Sequence, residues 1–161
     1  MITVYHGTTP DRAKKINENH VIRVTTNETK RYDHTKGGVV YVTKNLCDAM
    51  DFSTRPEKGL RERCIVVFRI RISESELKTD VDEKKWKSTL TYNGYENCYC
   101  ISRDLYFGKD VDAIFVKDFF QDNERLGNYL QQVQFGEIQV MESDWKKLEN
   151  NSASIASVKM E

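Results

Sequence analysis

The chain has 161 residues, with 25 basic and 25 acidic side chains and a formal net charge of zero, so its total charge gives no indication of a nucleic-acid partner. Its length allows one domain to bury a hydrophobic core, and 39% hydrophobic with 31% charged residues is typical of a folded globular protein. The longest apolar run, residues 65–68, is far too short to cross a bilayer, and no secretory signal pattern opens the sequence. We expect a cytoplasmic, monomeric protein with no membrane partner.

The four cysteines, Cys47, Cys64, Cys98 and Cys100, are too few and too scattered for a disulfide scaffold. Cys98 and Cys100 could form half of a metal site, but no second pair or nearby histidine completes it. The sequence therefore predicts reduced thiols and no metal.

Charge is unevenly distributed along the chain. Residues 1–72 carry 14 basic and 8 acidic side chains, and the remainder carries 11 and 17. This asymmetry could give an anionic substrate a basic face to approach, and it could equally be two solvated faces.

The first elements are a strand and a helix. Residues 2–5 alternate as a short strand, Thr9 is a typical helix N-cap, and Pro10 suits the first helical position. Ala13 and Ile16 give the helix over residues 10–19 one apolar stripe. Residues 23–36 are polar and aperiodic, which predicts a loop.

A second strand and helix follow. Gly37 and Gly38 form a turn that leads into an apolar strand through residue 43. Asn45 then caps a predicted helix over residues 46–53, in which Leu46, Ala49 and Phe52 repeat at helical spacing.

Residues 64–72 are the clearest strand in the sequence. Apolar side chains alternate through it, with Arg69 and Arg71 predicted on the opposite face. A polar stretch over residues 74–87 could hold a short helix ending near Trp86. Residues 95–101 and 112–119 are predicted as further strands.

The C-terminal part is less regular. A short helix or loop from residue 123 is followed by alternation at Val133 and Phe135, then Gly136 and Glu137, then renewed alternation to residue 140. Ser143 is predicted to cap a final turn reaching Leu148. We predict one α+β domain over residues 1–149 and a flexible tail over residues 150–161.

Three polar or aromatic side chains stand beside glycines at predicted strand ends: His6, Tyr41 and Glu137. Glycine allows a ligand to approach the backbone closely, because no Cβ atom is in the way. Each also has a plain structural interpretation: a turn histidine bound to a backbone carbonyl, a core aromatic, and a solvated surface carboxylate.

Taken in order, these motifs resemble a known family. His6-Gly7-Thr8 after a first strand, the strand containing Tyr41 and Thr43, and a late Glu137 opening a strand resemble the His-Tyr-Glu pattern of ADP-ribosyltransferases of the diphtheria-toxin and poly(ADP-ribose) polymerase type. The resemblance implies a split mixed β-sheet with short flanking helices. It also implies transfer of ADP-ribose from NAD to a macromolecular acceptor, protein or nucleic acid, with release of nicotinamide and no metal. The small size of the chain is similar to that of toxin-like enzymes of bacteria or phages.

The resemblance also implies a role for each matching residue. His6 would bond the adenosine ribose of NAD, the Gly7 backbone would hold the nicotinamide carboxamide, and Tyr41 would stack on the nicotinamide ring. Glu137 would bond the ribose 2′-hydroxyl and stabilise the cation that develops as the glycosidic bond breaks. Further contacts with NAD are expected from Thr8, Thr43 and Phe52.

Alternatives remain open at this point. NAD hydrolysis would use water in place of the acceptor, and a non-catalytic module would bind NAD or ADP-ribose without turnover. The tRNA 2′-phosphotransferases share the fold, but they depend on arginines that we cannot match here. The family often has a glutamate or glutamine two residues before its catalytic glutamate, whereas this chain has Phe135, an aromatic compatible with stacking on a base.

Overall fold

The computed structural model describes residues 1–26, 37–54, 64–79 and 98–148, which form nine strands and three helices. The strands are β1 (Ile2–Thr8), β2 (Val21–Ile22), β3 (Val40–Thr43), β4 (Cys64–Ile72), β5 (Lys78–Thr79), β6 (Cys98–Ile101), β7 (Leu105–Tyr106), β8 (Val111–Asp118) and β9 (Lys146–Lys147). The helices are α1 (Pro10–Asn19), α2 (Leu46–Ser53) and α3 (Asn123–Gln134).

A seven-stranded sheet organises the fold, in the order β5-β6-β3-β1-β4-β8-β9, and β2 pairs with β7 in a separate ribbon. The α+β class is confirmed. All strand pairs described in the seven-stranded sheet are antiparallel, so the mixture of strand directions that the resemblance implies is not found there. The division into one domain stays a prediction.

The two predicted strand and helix units are confirmed, together with their caps. Thr9 Oγ1 accepts from the Arg12 N–H at 3.4 Å, and Asn45 Oδ1 accepts from the Asp48 N–H at 3.3 Å. β1 extends to Thr8, three residues beyond the prediction, because β4 pairs with it along its whole length.

Two hydrophobic cores cover the two faces of the sheet. On one face, Val66, Phe68 and Ile70 of β4 pack with α1 through Ala13. On the other face, residues of β4 and β8 pack with α2 and α3: Ile65, Val67, Phe115, Ala49, Met50 and Leu126. The predicted alternation is confirmed, since Arg69 has the parity of Ile65 and Val67 and lies opposite Val66, Phe68 and Ile70. That second face is covered as well, and Arg69 is only 7% exposed.

Both edges of the sheet are short and carry lysines. β5 and β9 have two residues each, and they contain Lys78, Lys146 and Lys147. Short edge strands with charged side chains discourage pairing with other chains.

The predicted strands at Val133 to Phe135 and after Glu137 are wrong. Residues 123–134 form α3, capped by Asp122, and Leu126, Leu130 and Val133 pack at helical spacing against the second core. The alternation that suggested a strand was a short section of this longer period.

The predicted cap at Ser143 is also wrong. Residues Glu142–Asp144 form a 3-10 turn, which begins at Met141 with its N–H donating to the Asp144 carboxylate at 2.7 Å. Trp145 and Leu148, which belong to the predicted final turn, are both buried. The predicted helix near Trp86 and the tail over residues 150–161 lie outside the described residues.

Across the described segments, none of the helices is both long and apolar enough to span a membrane.

Candidate functional site

β1 pairs very differently with its two neighbours. On one side, β4 is in register with it at seven positions, from Ile2 opposite Ile72 to Thr8 opposite Val66. On the other side, β3 is in register only where Tyr5 faces Thr43. Within the described strands, β1 therefore lacks a continuous ladder on its β3 side from residue 6 onward. We call this gap, bordered by residues 6–8 and 40–42, the β1–β3 opening.

His6 reaches across the β1–β3 opening. Its Nδ1 lies 2.7 Å from the carbonyl oxygen of Tyr41. Because a carbonyl only accepts, Nδ1 carries the proton, and in a neutral ring Nε2 is then the acceptor nitrogen. The bond sets the orientation of the imidazole. It is also the contact that the plain structural interpretation of His6 requires.

The contact involves the main chain of Tyr41 and not its ring. Val4 and Val40 belong to the first core, so strand alternation places His6 on that face and Tyr41 on the opposite one. Tyr5 packs in the second core, and Gly7 has the same parity along β1. The ring of Tyr41 therefore shares a face with Gly7, and the imidazole of His6 does not.

The reason for glycine at position 7 differs from the one predicted. A Cβ atom there would lie 1.9 Å from the carbonyl oxygen of Ala49 and 2.8 Å from its carbonyl carbon. The position that a side chain at residue 7 would occupy is thus filled by the backbone of α2.

A buried serine fixes the end of β1. Ser53 Oγ donates to the Thr8 carbonyl at 2.7 Å and accepts from the Val66 N–H at 2.8 Å. This hydroxyl ties the last turn of α2 to both β1 and β4. Thr8 is buried, and Phe52, the residue before Ser53, is half-buried. The role of Ser53 was not predicted, because an isolated serine in a helix carries no local signal in the sequence.

Thr43 serves the local chain. Its Oγ1 accepts from the Asn45 N–H at 3.1 Å, just ahead of α2. Thr43 is also buried, with 6% of its surface exposed. Its position opposite Tyr5 places it at the closed end of the β1–β3 opening.

Glu137 is not brought together with these residues. It is exposed, it follows the end of α3, and it lines a cavity on that helix. Gly136, with φ 74°, takes the left-handed conformation that ends the helix. On the side of β3 that faces away from β1, its neighbour is β6. The described residues of β6, Cys98–Ile101, carry no carboxylate.

A charged cluster that the sequence did not reveal holds the C-terminal segment against the sheet. Arg69 donates to Asp112 at 2.9 Å and to Glu142 at 2.7 Å, and its guanidinium lies 5.1 Å from the centre of the Trp145 ring. Trp145 in turn stacks on Tyr5 of β1. The cluster thus anchors the segment after α3 beneath the strand that carries His6.

Acid should weaken this anchor. Hydrogen bonds from Arg69, and then from Lys147, lower the pKa of Glu142 from its ordinary 4.5 to about 2. A carboxylate with a lowered pKa stabilises the folded state above its unfolded pKa, and that contribution is lost as the pH falls from about 5 toward 2. Urea unfolding near pH 7 and near pH 3 should show a larger loss of stability for the natural protein than for Glu142→Gln. An equal loss in both proteins would contradict the assignment.

A second cluster positions the start of β3. Asp104 accepts from the Val24 N–H at 2.8 Å, and next to it Thr25 and Val39 are joined by a backbone hydrogen bond of 2.8 Å. Arg103, the residue before Asp104, donates hydrogen bonds to Glu76 and to the buried Asp110. These contacts fix the chain just before Tyr41.

The described residues contain no group of three or more histidine, cysteine or acidic side chains that could hold a metal ion. Comparison of the chain with protein-family models, with curated proteins and with solved structures gives no match in any of the three.

Proposed function

We propose that this protein is an NAD-dependent mono-ADP-ribosyltransferase with a split-sheet fold of the diphtheria-toxin and poly(ADP-ribose) polymerase type. The observation that carries the proposal is the β1–β3 opening, where register between the strands stops after one pair. His6 spans it, and Gly7 and Tyr41 share a face beside it. These are the residues that the sequence resemblance names for binding NAD.

The chemistry suits these groups. Breaking the bond between nicotinamide and ribose develops positive charge on the sugar, and nicotinamide in NAD is itself a flat cation. A tyrosine face can stabilise such a cation by up to about 2 kcal/mol when water is excluded. The acceptor nitrogen of His6 suits a ribose hydroxyl, which donates a hydrogen bond. Thr8 is the last residue of β1, and Phe52 lies in the last turn of α2.

The acceptor of the ADP-ribose is a macromolecule, protein or nucleic acid, in this proposal. Hydrolysis of NAD differs only in that water takes the acceptor's place. Both reactions need a carboxylate near the developing cation, because that charge must be stabilised more in the transition state than in bound NAD. Glu137 is the carboxylate that the resemblance assigns to this role.

The position of Glu137 favours a second candidate function. It lines a cavity on α3 whose lining includes none of His6, Gly7 and Tyr41. Binding of NAD needs only the β1–β3 opening, whereas turnover needs the carboxylate as well. A module that binds NAD or ADP-ribose without turnover is therefore the alternative.

Release of nicotinamide separates the two. NAD labelled in its nicotinamide ring is incubated with the purified protein, and free nicotinamide is measured with and without cell lysate. Glu137→Gln should lower the rate about 100- to 1000-fold. Glu124→Gln, which changes an exposed carboxylate on the first turn of α3, is the matched control. Glu96→Gln tests another carboxylate, since Glu96 precedes β6 by two positions in the sequence and β6 pairs with β3.

Each outcome has a distinct meaning. Equal rates for Glu137→Gln and Glu124→Gln would show that the assignment of Glu137 is wrong. Binding of NAD with no release by the natural protein would favour the non-catalytic module. With NAD labelled in its adenosine half, protease and nuclease treatment of the labelled products identifies the acceptor class.

A further inference from the structure

The last turn of α3 forms one wall of a surface cavity of about 410 Å³. The helix ends in a reversal in which the Glu137 N–H donates to the Gln132 carbonyl at 2.8 Å and the Gly136 N–H donates to the Val133 carbonyl at 3.2 Å. This reversal folds the chain back over the helix end. The cavity is lined by Asn128, Gln131, Gln132, Phe135 and Glu137.

This helix end lacks the apolar contact that usually accompanies such a reversal. The two positions that commonly hold apolar partners are Gln132 and Glu137 here. Beside them, the side chain of Phe135 is left 65% exposed. The reversal therefore exposes an aromatic ring between polar groups and does not close over it.

The charges of the cavity restrict the ligand. Among the described residues that line it, Glu137 carries the one carboxylate, and there is no lysine or arginine. A phosphate or carboxylate would meet like charge without a cation to pair with. A ligand with neutral hydroxyl donors would find the carboxylate favourable.

We propose that this cavity binds a neutral, hydroxyl-rich ligand, a sugar of one or two rings. The three carboxamides, on Asn128, Gln131 and Gln132, each offer donors and an acceptor, as sugar hydroxyls do. The exposed face of Phe135 suits the apolar C–H face of a sugar ring. The volume lies within the range of about 300–1,000 Å³ that small-ligand sites occupy.

Nuclear magnetic resonance of ¹⁵N-labelled protein tests the proposal at the cavity itself. Glucose, galactose, mannose and N-acetylglucosamine are titrated separately to millimolar concentration. The expected result is saturable movement of the side-chain amide signals of Asn128, Gln131 and Gln132 with at least one of them. Glucose 6-phosphate should bind more weakly than glucose, and guanosine serves as an aromatic ligand for comparison.

Two variants and one control locate the binding. Phe135→Ala should weaken it about fivefold, and Gln131→Leu by about two- to tenfold. Both side chains are exposed, so both variants should fold. Phe120→Ala removes another exposed aromatic, 77% exposed and outside this cavity, and should bind like the natural protein.

The proposal is overturned if no neutral sugar moves these signals, if guanosine moves them and the sugars do not, or if Phe135→Ala binds sugar as tightly as the natural protein. The site goes beyond the proposed NAD chemistry. Glu137 is the one residue named in both, so the test depends on Phe135 and Gln131. A protein that binds no sugar could still release nicotinamide from NAD, and a protein that releases no nicotinamide could still bind sugar. The two experiments can therefore fail independently.

Discussion

Gly7→Ala is expected to destabilise the protein by about 3 kcal/mol, the upper part of the range for inserting a methyl group into a packed site. The new Cβ atom would lie 1.9 Å from the carbonyl oxygen of Ala49, a backbone atom that no side-chain rotation can move aside. Helix α2 would have to shift, and the shift would strain the hydrogen bonds of Ser53 to β1 and β4. Urea unfolding followed by circular dichroism measures the loss.

Gly127→Ala is the matched control for this substitution. Gly127 lies inside α3, and an added Cβ atom would meet no atom within 4 Å. Alanine is preferred over glycine within a helix by up to about 1 kcal/mol, so this variant should be more stable than the natural protein. If Gly7→Ala unfolds at the same urea concentration as the natural protein, α2 does not pack on β1 as described.

Arg69→Met should cost about 3 kcal/mol of stability. Removing one partner of a buried ion pair typically costs about 3–5 kcal/mol, because the other charge is left unpaired. The lower value applies here, since the Asp112 and Glu142 side chains are 30% and 65% exposed and water can solvate them. Methionine preserves most of the length of the side chain, so the experiment mainly removes the charge.

Arg71→Met provides the comparison from the same strand. Arg71 is exposed two residues along β4, and such surface substitutions usually change stability by less than about 0.5 kcal/mol. A further readout is the fluorescence of Trp145, which lies over the Arg69 guanidinium. Equal stabilities for the two methionine variants would mean that the charged cluster does not anchor the C-terminal segment.

Local signals in the sequence were enough to predict the first two strand and helix units. Thr9, Pro10 and Asn45 act within one helical turn, and the apolar period of each helix is visible in a short window. The start of α3 was predicted as a short helix or loop from residue 123, and its last turn was predicted wrongly as a strand. Val133 and Phe135 alternate over too few residues to distinguish a strand from the end of a helix, and Gly136, predicted at a strand end, terminates that helix.

Contacts between distant parts of the chain were beyond the reach of the sequence. The alternation in β4 identified which residues share a face with Arg69. It could not show that α2, α3 and the segment with Trp145 cover that face. Likewise, the bond of His6 to the Tyr41 carbonyl joins residues 35 positions apart, so no local pattern could predict it. The packing of α2 against Gly7 also joins residues far apart in the sequence, Gly7 and Ala49.

Titration of the folded protein with NAD, followed by calorimetry, tests most directly whether the β1–β3 opening is a nucleotide site. We expect saturable binding by the natural protein, weakened about tenfold in His6→Ala, in which the bond across the opening is lost. His20→Ala, a histidine stacked on Phe107 at the end of α1, should bind NAD like the natural protein. No binding of NAD at millimolar concentration, or equal affinity in His6→Ala and the natural protein, would contradict the proposal.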